Sequence, residues 1–246
     1  MISPTEFVVD SIQAVAYVTG EPLRPASVLR NVLLTYGDIY DGEPISLPLP
    51  DHAPPEIPSV ILSSQDNTLR LDVARTQVSL SWHRREGAAE VDQRQVYARF
   101  AEQLATITAH PERRLGRLGA LLTRNAAIDH PGRALATQFC RDEWLHGPLN
   151  RPEGFELHAH KVFSLMPGLP VNSWIRLRTI PDAEQVYRYV AVQHDINTLV
   201  TEMTQRHFGQ QQVASFLNAA AEQFDIIFHL YFPAQVEGEA AQGQRL

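Results

Sequence analysis

Cysteine occurs once in these 246 residues, at Cys140, and lysine once, at Lys161. A single thiol excludes an internal disulfide, and it leaves no thiolate cluster of the kind that holds structural zinc or an iron–sulfur centre. No run of about 18 apolar residues could cross a bilayer as a helix, and the opening Met1-Ile2-Ser3-Pro4-Thr5-Glu6 has no basic stretch followed by an apolar one. These absences lead to the expectation of a cytoplasmic protein with no membrane segment, no export signal, no cofactor and no redox chemistry. Also missing are the Gly-x-Ser-x-Gly elbow, the P-loop, His-Glu-x-x-His and Gly-x-Gly-x-x-Gly, so the common hydrolase, nucleotide and metalloprotease signatures are all wanting.

What is present is an ordinary globular composition, 44% hydrophobic and 20% charged, in a chain near the length at which one core begins to divide into two. The formal net charge of -7 opposes nonspecific nucleic-acid binding, which is driven by cations that release condensed counterions. A local arginine patch is the one route left to it. Lys161 apart, every Lys-or-Arg cation is arginine, which reflects either a GC-rich coding sequence or selection for planar, bidentate anion recognition.

Periodicity orders the elements. Phe7 to Val18 alternates as a half-buried strand, and Gly20, Pro22 and Pro25 end it. Val28, Leu29, Val32, Leu33 and Tyr36 recur at helical spacing before Gly37, which predicts an amphipathic helix over 26–36. Six prolines between Asp41 and Pro58 exclude helix and central strand, leaving an extended surface loop that is either mobile or a docking segment. Ser59–Ser64, Thr68–Val73 and Val78–His83 read as an antiparallel meander, followed by a helix from about Gln93 to Ala109.

The order then starts again. A strand is expected over Arg114–Ile128, a short helix over Arg133–Leu145, strands over Phe155–Leu165, Ser173–Ile180 and Tyr187–Asp195, and a last helix over about Gln211–Phe228. The closing helices open alike, Gln95-Val96-Tyr97-Ala98-Arg99-Phe100 against Gln212-Val213-Ala214-Ser215-Phe216. The expected fold is therefore α+β: two similar strand–helix–antiparallel strands–helix halves, 1–110 and 111–233. They form a continuous or paired antiparallel sheet with helices on one side, as an internal duplication, with a flexible polar tail over 234–246.

Three groups of residues carry the candidate chemistry. His158 and His160, two apart on a strand, present both imidazoles to one face as two ligands of one metal do, and His194 and Asp195 could complete the set. Arg84, Arg113, Arg114, Arg117 and Arg124, with Arg85 beside Arg84, are the strongest basic concentration and could line a groove for phosphate or an acidic strip; the bland alternative is dispersed surface arginines. Cys140, Arg141, Asp142, Glu143 and His146 form a dense cluster, but a six-residue separation on a helix sets thiol and imidazole apart, and Cys140 reads as core. Trp82, Trp144 and Trp174 read as core or sheet-face anchors.

Val78-Ser79-Leu80-Ser81-Trp82, Arg113-Arg114-Leu115-Gly116-Arg117-Leu118-Gly119 and Val190-Ala191-Val192-Gln193-His194-Asp195-Ile196-Asn197 together resemble a sporadically distributed family of uncharacterised bacterial proteins of about this length. Leu121-Leu122 stands where that family has an Arg-Tyr pair, and Asn125 falls one residue late. The resemblance implies no activity; the sporadic occurrence of the family points toward mobile elements or phage defence. The leading expectation is thus a noncatalytic protein-binding or adaptor protein, with a protein partner or a second copy of itself. The rivals are a small-molecule sensor with a cleft between the halves and a metal-dependent enzyme centred on His158, His160 and His194.

Overall fold

The computed structural model describes residues 2–50 and 52–234, so all but the first residue of the expected polar tail lies outside the described residues. Strand β1 (Val8–Gly20) ends at Gly20, whose φ of +79° turns the chain; a Cβ there would lie 2.7 Å from the carbonyl oxygen of Glu112. Helix α1 (Pro25–Tyr36) starts on proline, which lacks the N–H that a first-turn residue leaves unbonded. The proline-rich segment contributes one short strand, β2 (Ile45–Ser46), and a turn in which the Ile57 N–H donates to the Pro54 carbonyl, and a hairpin ladder follows: β3 (Val60–Ser63), β4 (Leu69–Val73) and β5 (Gln77–His83). Asp92 caps helix α2 (Gln93–Thr108) by accepting from the Arg94 N–H.

The second half runs β6 (Arg113–Ala127), α3 (Pro131–Phe139), α4 (Asp142–Leu145), β7 (Glu156–Met166), β8 (Leu169–Pro181), β9 (Tyr187–Thr198) and α5 (Gln210–Tyr231), with two helices and three strands between its opening strand and closing helix where the first half has one helix and four strands. The single short helix expected over 133–145 is two, because Cys140 is extended (φ -108°, ψ 160°) and stops α3. No proline or glycine marks that break. Phe139 at the end of α3 packs on Phe232 and Tyr231, and the Cys140 N–H closes the helix on the Ala136 carbonyl. Among the described residues no helix is long and apolar enough to cross a membrane.

The strands form one antiparallel sheet in the order β2-β3-β4-β5-β1-β6-β9-β8-β7. Its centre is the β1–β6 ladder, with Ala14 opposite Ala120. Outward from that ladder the order is β1, β5, β4, β3 on one side and β6, β9, β8, β7 on the other. Each half thus opens with the inner strand and returns to it with its last strand.

Alternation decides which face is covered. Ile12, Ala14 and Ala16 of β1, Val78 and Leu80 of β5, Leu118, Ala120 and Leu122 of β6, and Val190 and Ile196 of β9 are all buried on one face. The helices lie there: α2 on β1 and β5, α5 on β6 and β7, α3 on β9, and α1 on β3 and α2, with α2 and α5 packed on each other. Val96, Phe100 and Leu104 of α2 and Val213, Phe216, Leu217 and Phe224 of α5 fill the space between. Each such side chain stabilises the fold by roughly 1.5–3 kcal/mol through the apolar area it removes from water.

Neither hydrophobic core respects a boundary near residue 110. The larger one joins β1 and β5 to Val171, Ile196 and Phe216, and the smaller brings Ile2 and Phe7 together with Leu135, Leu177, Val192 and Phe228.

Candidate functional site

The face of the sheet opposite the helices carries polar and half-buried side chains. On the second half they make one connected ribbon. His160 of β7 stacks on Trp174 of β8 with ring centroids 4.1 Å apart, and the guanidinium of Arg176 stands 5.9 Å from the same indole. His160 Nε2 is 3.1 Å from Asn172 Oδ1, Asn172 Nδ2 donates to Asn197 Oδ1 at 3.4 Å, and Arg117 donates to that same oxygen at 2.8 Å. Arg117 also lies over the Tyr17 ring at 4.8 Å, so the ribbon runs from the outer strand to the middle of the sheet.

The two edges of the sheet differ. At the first-half edge, β3 is covered by the two-residue β2 and by a segment rich in proline, which cannot donate to another strand. At the other edge, the 11 residues of β7 pair, among the described residues, on one side only, with β8. The Thr179 N–H donates to the Phe155 carbonyl at 3.1 Å, which fixes the phase of that ladder. Odd-numbered residues of β7 direct their backbone groups toward β8, and Glu156, His158, His160 and Val162 turn their N–H and C=O groups outward. Those four residues are exposed.

The edge is cationic in a chain of net charge -7. Lys161 is exposed and forms no ion pair with a described residue; its ammonium rests 4.8 Å from the Phe163 ring. Arg176 and Arg178 on β8 are exposed on the open face. Glu156, 3.6 Å from His158, is the carboxylate of the strand itself.

The four expected metal ligands do not converge. His158 and His160 share the open face, as alternation requires, and Asp195 points to that face too, two strands away. His194 points the other way, into the core beneath α5, where it is 2% exposed. The sheet separates it from the others, and among the described residues no group of three or more His, Cys, Asp or Glu side chains is placed to hold a metal ion.

The arginines do not form a groove either. Arg113 and Arg124 stand near opposite ends of β6, roughly 35 Å apart at the rise of an extended strand. Arg113 donates to the carbonyls of Glu21, Pro22 and Thr108, and Arg114 is exposed beside it. Arg84 donates to the Ala88 carbonyl just past the end of β5, while Arg124 is buried on the helix face. Of the five, Arg117 alone joins the open-face ribbon.

Among the described residues, His194 and Ser173 make the one contact that imitates a nucleophile and its base, Nε2 to Oγ at 2.8 Å. Both are buried, and Phe224 closes over the imidazole with centroids 4.8 Å apart. Burial, followed by the nearby charges of Arg124 and Lys161, pushes the His194 pKa down to about 3, so the ring is neutral at neutral pH. The pair is a core hydrogen bond. Cys140 is half-buried, and Trp82 is in the core while Trp144 is half exposed.

Sequence reasoning missed the ribbon and the bare edge. The ribbon's signal was present in Asn172, Trp174, Arg176 and Arg178, polar or amphipathic at every second position of β8 between the apolar Val171, Ile175 and Leu177. Comparison with models of known protein families gives no match, and neither does comparison with curated proteins.

Proposed function

We propose that this chain is a noncatalytic binding protein that takes up an extended, acidic segment of a protein partner along β7, as a tenth strand of its sheet. The observation that carries this reading is the difference between the edges: β2 and prolines cover one, and among the described residues nothing pairs with the outward backbone groups of β7. Backbone pairing supplies affinity in such strand addition, and side-chain pockets at alternate positions supply the choice of sequence. Lys161, Arg176 and Arg178 give the partner its sign, and the Trp174–His160 stack with Asn172 gives its side chains aromatic and polar neighbours. Membership of the uncharacterised bacterial family that the chain resembles is part of the same proposal.

The test is a selection from random decapeptides, read against wild type and Val162→Pro. Proline at 162 removes an outward N–H and no bond to β8. The reading expects acidic peptides to be enriched, and their affinity to fall at least about tenfold in the variant, the equivalent of roughly 1.4 kcal/mol. Peptides without acidic bias, or binding unchanged in Val162→Pro, would overturn it. A dimer that Val162→Pro dissociates would assign the edge to a second copy instead.

A further inference from the structure

A cavity of about 620 Å³ opens at the end of the second half, lined by residues of the α3 start, of the segment before β7 and of the β8–β9 hairpin. Its size falls in the range of small-molecule sites. Two arginines from different elements line it, Arg133 of α3 and Arg151 before β7. Neither guanidinium makes a hydrogen bond or ion pair with a described residue, in contrast to that of Arg188 nearby, which is held by Asp182. His130 adds a third nitrogen group, Tyr187 and Val186 supply a partly exposed apolar wall, and Glu153 is the single carboxylate of the lining.

The backbone around this cavity is held away from its preferred conformation. Four described non-glycine residues have positive φ, and three of them line it: His130 at 52°, Arg151 at 58° and Gln185 at 63°. Left-handed backbone costs a non-glycine residue free energy, and such residues gather at ligand clamps when the surroundings over-determine them. Gly132 pins two walls together, since a Cβ there would lie 2.3 Å and 2.4 Å from the carbonyl oxygens of Pro152 and Glu153.

We infer that this cavity binds a small molecule made of a planar ring and a phosphate, the ring against Tyr187 and the phosphate between Arg133 and Arg151. Guanidinium groups match phosphate oxygens in pairs of parallel hydrogen bonds, and Glu153 accepts from donors on the ring. The site is separate from the β7 edge, and its test is independent of strand binding.

The experiment is calorimetric titration of the full chain with phenyl phosphate and the four common ribonucleoside monophosphates, with inorganic phosphate and the nucleosides as controls. At least one ring-bearing phosphate is expected to bind more tightly than either control. Arg133→Gln and Arg151→Gln should each weaken it by about tenfold, as loss of a charge-assisted pair does, with an unchanged melting temperature. Glu153→Gln should alter the preference among the nucleotides and leave phenyl phosphate as it was. No binding below about 1 mM by any member, the level of a bare contact, would overturn the inference. So would equal binding by inorganic phosphate alone, or affinity that neither arginine variant moves.

Discussion

Arg124 of β6 sets a guanidinium nitrogen 2.6 Å from the carboxylate of Asp225 on α5, and that nitrogen is also 3.0 Å from Oε1 of Gln93 on α2. Gln93 in turn donates to Asp225 and to the Ala221 carbonyl, each at 2.9 Å. One buried cation therefore ties together the closing helices of both halves, and Phe228 lies 4.5 Å beneath it. Removing Asp225 leaves that cation without its counter-charge. Asp225→Ala is expected to cost about 3 kcal/mol, the low end for breaking a buried pair, because the carboxylate itself stays 39% exposed. Arg188→Ala, which breaks the exposed Arg188–Asp182 pair and leaves the bonds from the Glu184 and Val186 N–H groups to Asp182 in place, should cost less than about 1 kcal/mol. Urea unfolding midpoints compare the two.

Acid should destabilise the fold through His194. Its folded pKa of about 3 lies below the value of 6.5 in an unfolded chain, so between those values only the unfolded state takes the proton. Stability is thus full above pH 6.5 and is lost as pH falls toward 3, at up to about 1.4 kcal/mol per pH unit from this one group. The double variant Ser173→Ala, His194→Leu removes the group and its partner together. Its unfolding free energy should be flatter than that of wild type between about pH 6 and pH 4.5, above the range in which the carboxylates titrate.

Gly132 has no room for a side chain. Gly132→Ala must push α3 away from the carbonyls of Pro152 and Glu153, at an expected cost of about 1–3 kcal/mol, typical of overpacking. A thermal melt measures it, and a melting temperature equal to wild type would show that the two walls are not pinned there.

Val162→Pro should leave stability within about 1 kcal/mol of wild type, because proline is tolerated on an edge strand where the N–H faces outward. A large drop in the urea midpoint would mean that the Val162 N–H has a partner in the folded chain.

Much of this architecture is legible in the residues. The hairpin turns carry their own chemistry: Asn67 and Gly168 take the positive φ that turns demand, at 57° and 72°. Both closing helices bury their apolar stripes, Val96, Phe100 and Leu104 on α2 and Val213, Phe216, Leu217 and Phe224 on α5, as the helical spacing states. The opposite facing of Arg117 and Arg124 was also readable, since seven positions along a strand reverse the face. The direction of His194 was readable in the same way, since on β9 it alternates with Asp195 and keeps step with the apolar Val190, Val192 and Ile196. The bare β7 edge was hidden, for it follows from strand order and not from the strand's own sequence.

Residue-resolved amide exchange along β7 distinguishes an edge that takes up a strand from one that does not. In the free chain the amides of His158, His160 and Val162 should exchange fast and those of Leu157, Ala159 and Phe163 slowly; a selected acidic peptide should then protect the first three. Protection of all six before any peptide is added, or fast exchange at the outward three after it binds, would mean that β7 does not take up a tenth strand.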